Sequence, residues 1–454
     1  MMIEGTRSIN SSFTWHNNSI TQVNLIINLY FYGRVRPSFP FNGPLVFSLT
    51  IQTKYEIHKL AYGGKMRTKH KIFFKNSKNM EELPPESIDL VITSPPYPMI
   101  EMWDDVFSNL NRKVAEALEK DHGSVAFELM HQELDPVWNE VYRVLTQGGI
   151  ACINIGDATR TLNGHFALYT NHSRIHTYMQ GLGFSALPAI LWRKQTNAPN
   201  KFMGSGMMPP GAYITLEHEY VLILRKGNKK EFKSEREKQL RRESSFFWEE
   251  RNVWFSDVWM DLKGTSQNLF DSKVRNRSAA YPFELPYRLI TMFSVKNDNV
   301  LDPFFGIGTT MYATMAAGRN SIGYEIDCNL SEQIISKTSG IVGFSNKRIK
   351  ERLEKHLEFI EDRYKKKGKF KYANNQYQFP VMTKQETDLI INDLFSVEQI
   401  DKATFEVTYS DKPQKNYVGF WDEYVFSDSD KKEMKKRVAP KKRKKDHEQQ
   451  QLFE

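Results

Sequence analysis

Asn299-Val300-Leu301-Asp302-Pro303-Phe304-Phe305-Gly306-Ile307-Gly308-Thr309-Thr310 is the stretch on which the fold turns. Val300 and Leu301 read as a buried strand, Gly306 and Gly308 as a tight turn, and Met311 to Ala317 as the helix that follows. Glycine accepts positive φ and lets backbone approach a ligand, while a helix N-terminus favours a carboxylate or phosphate. Downstream, Ser321-Ile322-Gly323-Tyr324-Glu325 is a second strand ending in an acid. The separation of Gly306 from Glu325 is the roughly 20 residues of a nucleoside-binding βαβ unit, whose acid accepts hydrogen bonds from ribose hydroxyls. Met311 stands where a dinucleotide fingerprint has its third glycine, so a nicotinamide cofactor is disfavoured.

Some two hundred residues upstream, Ile88 to Ile92 forms a short apolar strand that stops at Ser94-Pro95-Pro96-Tyr97. Two prolines fix the backbone, so a carbonyl and a hydroxyl can both be held as acceptors toward one amino group, and Tyr97 offers a flat face to a planar base. An exocyclic amine is a poor nucleophile because its lone pair is delocalised into the ring. Acceptors around its hydrogens favour a pyramidal nitrogen, which is electrostatic stabilisation without a covalent intermediate. In an open parallel sheet, ligands gather beyond the carboxyl ends of the strands, where both motifs stand.

The remaining pattern agrees with an α/β domain. Leu134 to Leu145 has helical spacing and is expected to stop at Gly148-Gly149. Ile150 to Ile155, Ala189 to Trp192 and Tyr220 to Leu224 read as further strands. Residues 1–65 look like an N-terminal extension, with the domain beginning at Met66. A basic stretch with Lys229, Lys230, Lys233, Arg236, Lys238, Arg241 and Arg242 leads into Phe246, Phe247, Trp248, Trp254 and Trp259. Beyond Lys347 the chain reads as helical and then irregular, closing on the basic run Lys441 to Lys445.

The formal charge of +9 draws the protein toward polyanions. Only two cysteines, Cys152 and Cys328, are present, too few for a disulfide framework and with no metal-ligand spacing, so a cytoplasmic protein without a bound metal is expected. No long apolar run predicts a membrane span.

The order of the two motifs resembles the β-class amino-methyltransferases of DNA restriction–modification systems, over roughly residues 66 to 335. The resemblance implies a mostly parallel seven-stranded sheet with helices on both faces and S-adenosyl-L-methionine (AdoMet) as cofactor. By it, Ser94, Pro95, Pro96 and Tyr97 hold the target base. Ala280, Tyr281, Pro282, Phe283, Asp302, Pro303, Phe304, Gly306, Gly308 and Thr309 line AdoMet, and Glu325 binds its ribose. Trp192 and Lys194 resemble the segment flanking a flipped base, although a buried core tryptophan reads as well there. Lys75-Asn76-Ser77 replaces the family's usual Gly-Asp-Ser, so no cofactor contact is assigned to it. The implied organisation is a catalytic half at 66–225, a target-recognition region at 226–277, an AdoMet-binding half at 278–345 and a C-terminal extension at 346–454.

Ser-Pro-Pro-Tyr in that family points to cytosine N4 in double-stranded DNA, with adenine N6 the alternative. A cognate restriction endonuclease is implied as a functional partner. Cytosine C5 chemistry needs a Pro-Cys turn, and neither cysteine follows proline. Methylation of RNA or a protein amide, and a silent DNA-binding module, are the competing readings.

Overall fold

The computed structural model describes residues 66–194, 209, 214, 216–262, 281–419 and 421–427. The extension at 1–65, Ala280, the end of the 226–277 region and the basic tail lie outside the described residues.

Among the described residues, ten strands form one sheet. They are β1 (Arg67–Phe73), β2 (Ile88–Thr93), β3 (Leu145–Ile155), β4 (Phe184–Arg193), β5 (His218–Lys226), β6 (Val258–Trp259), β7 (Asn299–Asp302), β8 (Asn320–Tyr324), β9 (Leu394–Asp401) and β10 (Thr404–Tyr409). Their order across the sheet is β9-β10-β1-β8-β7-β2-β3-β5-β4-β6. The five strands from β1 to β3 in that order are mutually parallel, while β5 runs antiparallel to β3 and β4 antiparallel to β5. The expected seven-stranded sheet is therefore present, extended by the β9-β10 hairpin at one edge and by β6 at the other.

Among the described residues, ten α-helices accompany it: α1 (Asp104–Leu110), α2 (Arg112–Glu119), α3 (Gly123–Val144), α4 (Asn171–Gly181), α5 (Glu235–Glu243), α6 (Trp248–Trp254), α7 (Glu284–Phe293), α8 (Thr309–Ala317), α9 (Ser331–Thr338) and α10 (Ile341–Lys367). Side chains alternate across a strand, so each buried strand feeds two cores. Val91, Ala151, Ile153, Leu222 and Leu224 pack on Met130, Leu134, Trp138 and Val141 of α3. Leu90, Ile92, Cys152, Val221 and Ile223 face the other way, onto Leu285, Leu289 and Ile290 of α7 and Ala313 and Ala316 of α8. No helix among the described residues is long and apolar enough to cross a membrane.

Two expectations need correction. Helix α3 ends at Val144, before the glycines, and Leu145 already belongs to β3. Gly148, at φ +82°, lies inside that strand where the register with β2 slips, and a Cβ there would come within 2.5 Å of the Lys230 backbone. The glycine answers a close approach between chains rather than a helix end. The C-terminal region is also not irregular after its helix. β10 pairs antiparallel with β1, and Phe405, Val407 and Tyr409 join a third core with Ile349, Leu353 and Ile360 of α10.

The basic stretch divides by residue type. Ser234 and Glu237 form a reciprocal capping box at the start of α5, which buries no residue, whereas Phe247, Trp254 and Trp259 are core.

Candidate active site

β2 and β7 are parallel neighbours, with Val91 opposite Leu301, so their carboxyl ends open at the same level of the sheet. Thr93 ends β2 and Asp302 ends β7, and Thr93 Oγ1 donates to Asp302 Oδ1 at 2.6 Å. That bond ties the residue before Ser94 to the first residue of the glycine loop.

Asp302 is 2 % exposed. Its Oδ1 also accepts from the Phe304 amide at 3.1 Å, and its Oδ2 accepts from Thr310 Oγ1 at 2.6 Å and from the Tyr281 hydroxyl at 3.3 Å. Burial pushes the carboxyl up, and the Thr310, Thr93, Phe304 and Tyr281 donors pull against that rise. With four protein donors on two oxygens, Asp302 braces the loop and ties the start of α8 to β7. Tyr281 and Thr310 are also hydrogen-bonded to each other. Pro282 and Pro303 are buried, and Phe283 packs on Tyr287 and edge-on to Phe344 at 4.8 Å.

The loop itself is shaped by glycine and by Phe305. Gly306 and Gly308 have φ of +54° and +83°. Gly308 caps α8 and no side chain among the described residues caps it, so the first-turn amides of that helix, starting at Thr309, have no acceptor within the helix. Nothing lies within 4 Å of a Cβ built on Gly306, which leaves bare backbone beside open space. Glu325 closes the other side. Its Oε2 accepts from the Gly306 amide at 2.7 Å and its Oε1 from Asp327 at 2.8 Å. Burial, only partly opposed by these two amides, pushes its carboxyl up to about 7.

The Ser94–Tyr97 turn sits beyond β2. The Tyr97 hydroxyl lies 3.1 Å from Ser94 Oγ, donates to Glu219 Oε2 at 3.0 Å and accepts from Asn154 Nδ2 at 2.9 Å. Asn154 Nδ2 also donates to Glu219 Oε2 at 2.7 Å, and Lys194 Nζ holds Glu219 Oε1 at 2.8 Å. Burial first, then the charge of Glu219, keeps the phenol well above its ordinary range, so Tyr97 stays protonated. Gly156 makes room for its ring, since a Cβ there would stand 2.9 Å from Tyr97 Cε2.

Trp192 is fully buried and donates its indole N–H to the Leu262 carbonyl at 2.9 Å, so it is a core residue rather than a face open to a base. Lys194 does reach the site, through Glu219. Three residues there escaped the reading of the sequence: Thr93, Asn154 and Glu219. His218-Glu219 opens an apolar strand, which was the available signal for the last of them.

A profile of DNA methylases of the N6/N4 type matches residues 88–336, more than half of the chain and both motifs with it. The chain belongs to this family of DNA methylases. The methylase is 52% identical over 352 residues to the type II methyltransferase M.MthZI of Methanothermobacter thermautotrophicus, an alignment covering 77% of this chain and 98% of that one. It is 49% identical over 304 residues to the type II methyltransferase M.MjaI of Methanocaldococcus jannaschii, covering 64% and 97%. Among solved structures, a putative DNA modification methylase of Thermus thermophilus, complexed with S-adenosyl-L-methionine, is 28% identical with a TM-score of 0.47, covering 60% of the methylase and 95% of that chain.

Proposed function

We propose that the methylase transfers a methyl group from AdoMet to N4 of a cytosine turned out of duplex DNA. The observation that carries the reading is the Thr93–Asp302 hydrogen bond, which joins an amine-binding turn to a nucleoside-binding loop across adjacent parallel strands. The residues fit the cofactor: open backbone at Gly306, a helix N-terminus at Thr309, and a carboxylate at Glu325 for two ribose hydroxyls. Tyr281 and Thr310 hold that loop through Asp302. When bound, AdoMet supplies an electrophilic methyl group on a sulfonium.

Ser94 and the Pro95 carbonyl act as acceptors for the two amine hydrogens, which localises the nitrogen lone pair, and Tyr97 limits where the base can lie. Serine in the first position of this motif supports cytosine N4 over adenine N6. A base within a duplex cannot reach such a turn, so it must be flipped, at a cost of a few kcal/mol that contacts to phosphates offset. Recognition of the target sequence is assigned to 226–277, and a cognate endonuclease is the functional partner of the type II relationship.

The test is incubation with labelled AdoMet and duplex DNA followed by nucleoside analysis. N4-methylcytosine is expected; N6-methyladenine alone would move the assignment to adenine. Ser94→Ala and Tyr97→Ala should each remove most turnover while AdoMet still binds, and wild-type turnover in both would remove the proposed site.

A further inference from the structure

We infer that Glu219 is a positioning residue that fixes the direction of the Ser94–Tyr97 hydroxyl chain, so that Ser94 Oγ meets the target amine only as an acceptor. The inference rests on the assignment of Ser94 to the amine.

A phenol has one hydrogen to donate and two lone pairs. Asn154 Nδ2, at 2.9 Å from the Tyr97 oxygen, can only donate to it, and the Glu219 carboxylate, at 3.0 Å, can only accept from it. The Tyr97 proton is therefore committed to Glu219. Ser94 Oγ, the remaining partner at 3.1 Å, must then donate to Tyr97. A serine whose hydrogen is committed inward turns only lone pairs outward. Reversed, the chain would aim the serine hydrogen at an amine that also presents hydrogens, and two donors would face each other.

The surroundings hold Glu219 to this task. Lys194 pairs with its other oxygen at 2.8 Å, which balances the charge of a carboxylate that is 9 % exposed. The Asn154 amide turns its nitrogen toward the acid although its Oδ1 is then buried without a hydrogen-bond partner among the described residues. Turned over, that amide would set oxygen against oxygen, so the acid orients it. Three donors thus converge on Glu219, from Tyr97 in the turn after β2, Asn154 of β3 and Lys194 just after β4.

Glu219→Gln tests the idea with almost no change of shape. Lys194 retains the oxygen, so the amide nitrogen faces Tyr97 and also Asn154 Nδ2; the comparison is therefore made in an Asn154→Leu background, where that second donor is gone and the Gln nitrogen donates to Tyr97. The Tyr97 proton swings to Ser94, and the serine proton turns outward. We expect kcat to fall about a hundredfold, the scale seen when one oriented polar group is lost from a transition state. Affinity for AdoMet and DNA and the thermal midpoint should stay unchanged.

In a Ser94→Ala background the same substitution should cost nothing further, because no serine remains to orient. Losses that multiply in the double variant, as a general structural role requires, would overturn the inference. So would wild-type kcat in Glu219→Gln while Ser94→Ala is inactive. An active Ser94→Ala would instead remove the assignment on which the inference rests. Should Glu219→Gln fail to fold, Tyr97→Phe removes only the linking hydroxyl; it is expected to reproduce the loss, and full turnover in it would overturn the inference.

Discussion

Glu325 accepts two backbone amides, yet burial still carries its carboxyl to about 7. Ribose hydroxyls donate, so only the ionised acid can take them without surrendering an amide bond. AdoMet affinity should therefore weaken as pH falls through 7, by about tenfold per unit once the acid is protonated, and level off above. The effect on the free protein has the opposite sign. The folded state holds this proton between the ordinary value of 4.5 and about 7, so stability drawn from it is full below 4.5 and is lost as pH rises through 7. Calorimetric titration of wild type against Glu325→Gln checks this: the variant should bind weakly and lack this step, whereas an equal pH slope in both would assign the titration to the cofactor's own amine. Glu325 was legible because it follows a glycine turn at a set spacing along parallel strands. Glu219 was not, for a geometric reason. β5 runs antiparallel to β3, so its first residues, not its last, lie where the parallel strands end. A search for acids at carboxyl ends passes over it.

Loop and helix α8 are held to the sheet by Phe305, whose ring fills the space over Gly323 of β8. A Cβ on Gly323 would come within 2.0 Å of that ring, and the ring is also 3.1 Å from a Cβ position on Gly308. Gly323→Ala must push Phe305 toward the loop, and overpacking of this kind costs roughly 1–3 kcal/mol. Gly306→Ala meets no atom and carries only the strain of φ +54°, about 1–2 kcal/mol. The two should differ in kind: Gly323→Ala lowers the thermal midpoint more, whereas Gly306→Ala chiefly lowers AdoMet affinity by filling the open side. Similar affinity losses scaled only by stability would show that the space over Gly306 is not used. Elements with local signals were readable from the sequence, among them β2, the βαβ unit and the apolar strands β3 to β5. Thr404-Phe405-Glu406-Val407-Thr408-Tyr409 also alternates, but its loop residues Lys402 and Ala403 lack a strong hairpin signature, and its partner β1 is more than three hundred residues away. Pairing at that distance leaves no local trace.

The described residues of the C-terminal region, from 346 to 427, are part of the body of the molecule. α10 lies against α8, β10 covers the edge of β1, and Tyr409 donates to the Met315 carbonyl at 2.7 Å, fastening the helix whose first turn bears the glycine loop. A chain ending at residue 345 should therefore fail to fold, since it strips one side of α8 and opens a sheet edge. Arg352 of α10 gives a subtler probe. It is 6 % exposed, forms a two-pronged bond to Glu250 of α6 at 2.6 and 2.7 Å, and donates to the Tyr287 hydroxyl of α7 at 2.8 Å. Removing one partner of a buried pair strands the other charge, at a cost of about 3–5 kcal/mol, while replacing both by apolar residues is often near neutral. Arg352→Met should thus unfold at clearly lower urea, and adding Glu250→Met should recover most of the loss. If the pair only adds surface attraction, the single variant will lose little and the second substitution will recover nothing. If α10 instead docks mainly through its apolar face, the double variant will keep full methyl transfer, because the clamp on α8 does not need the charges.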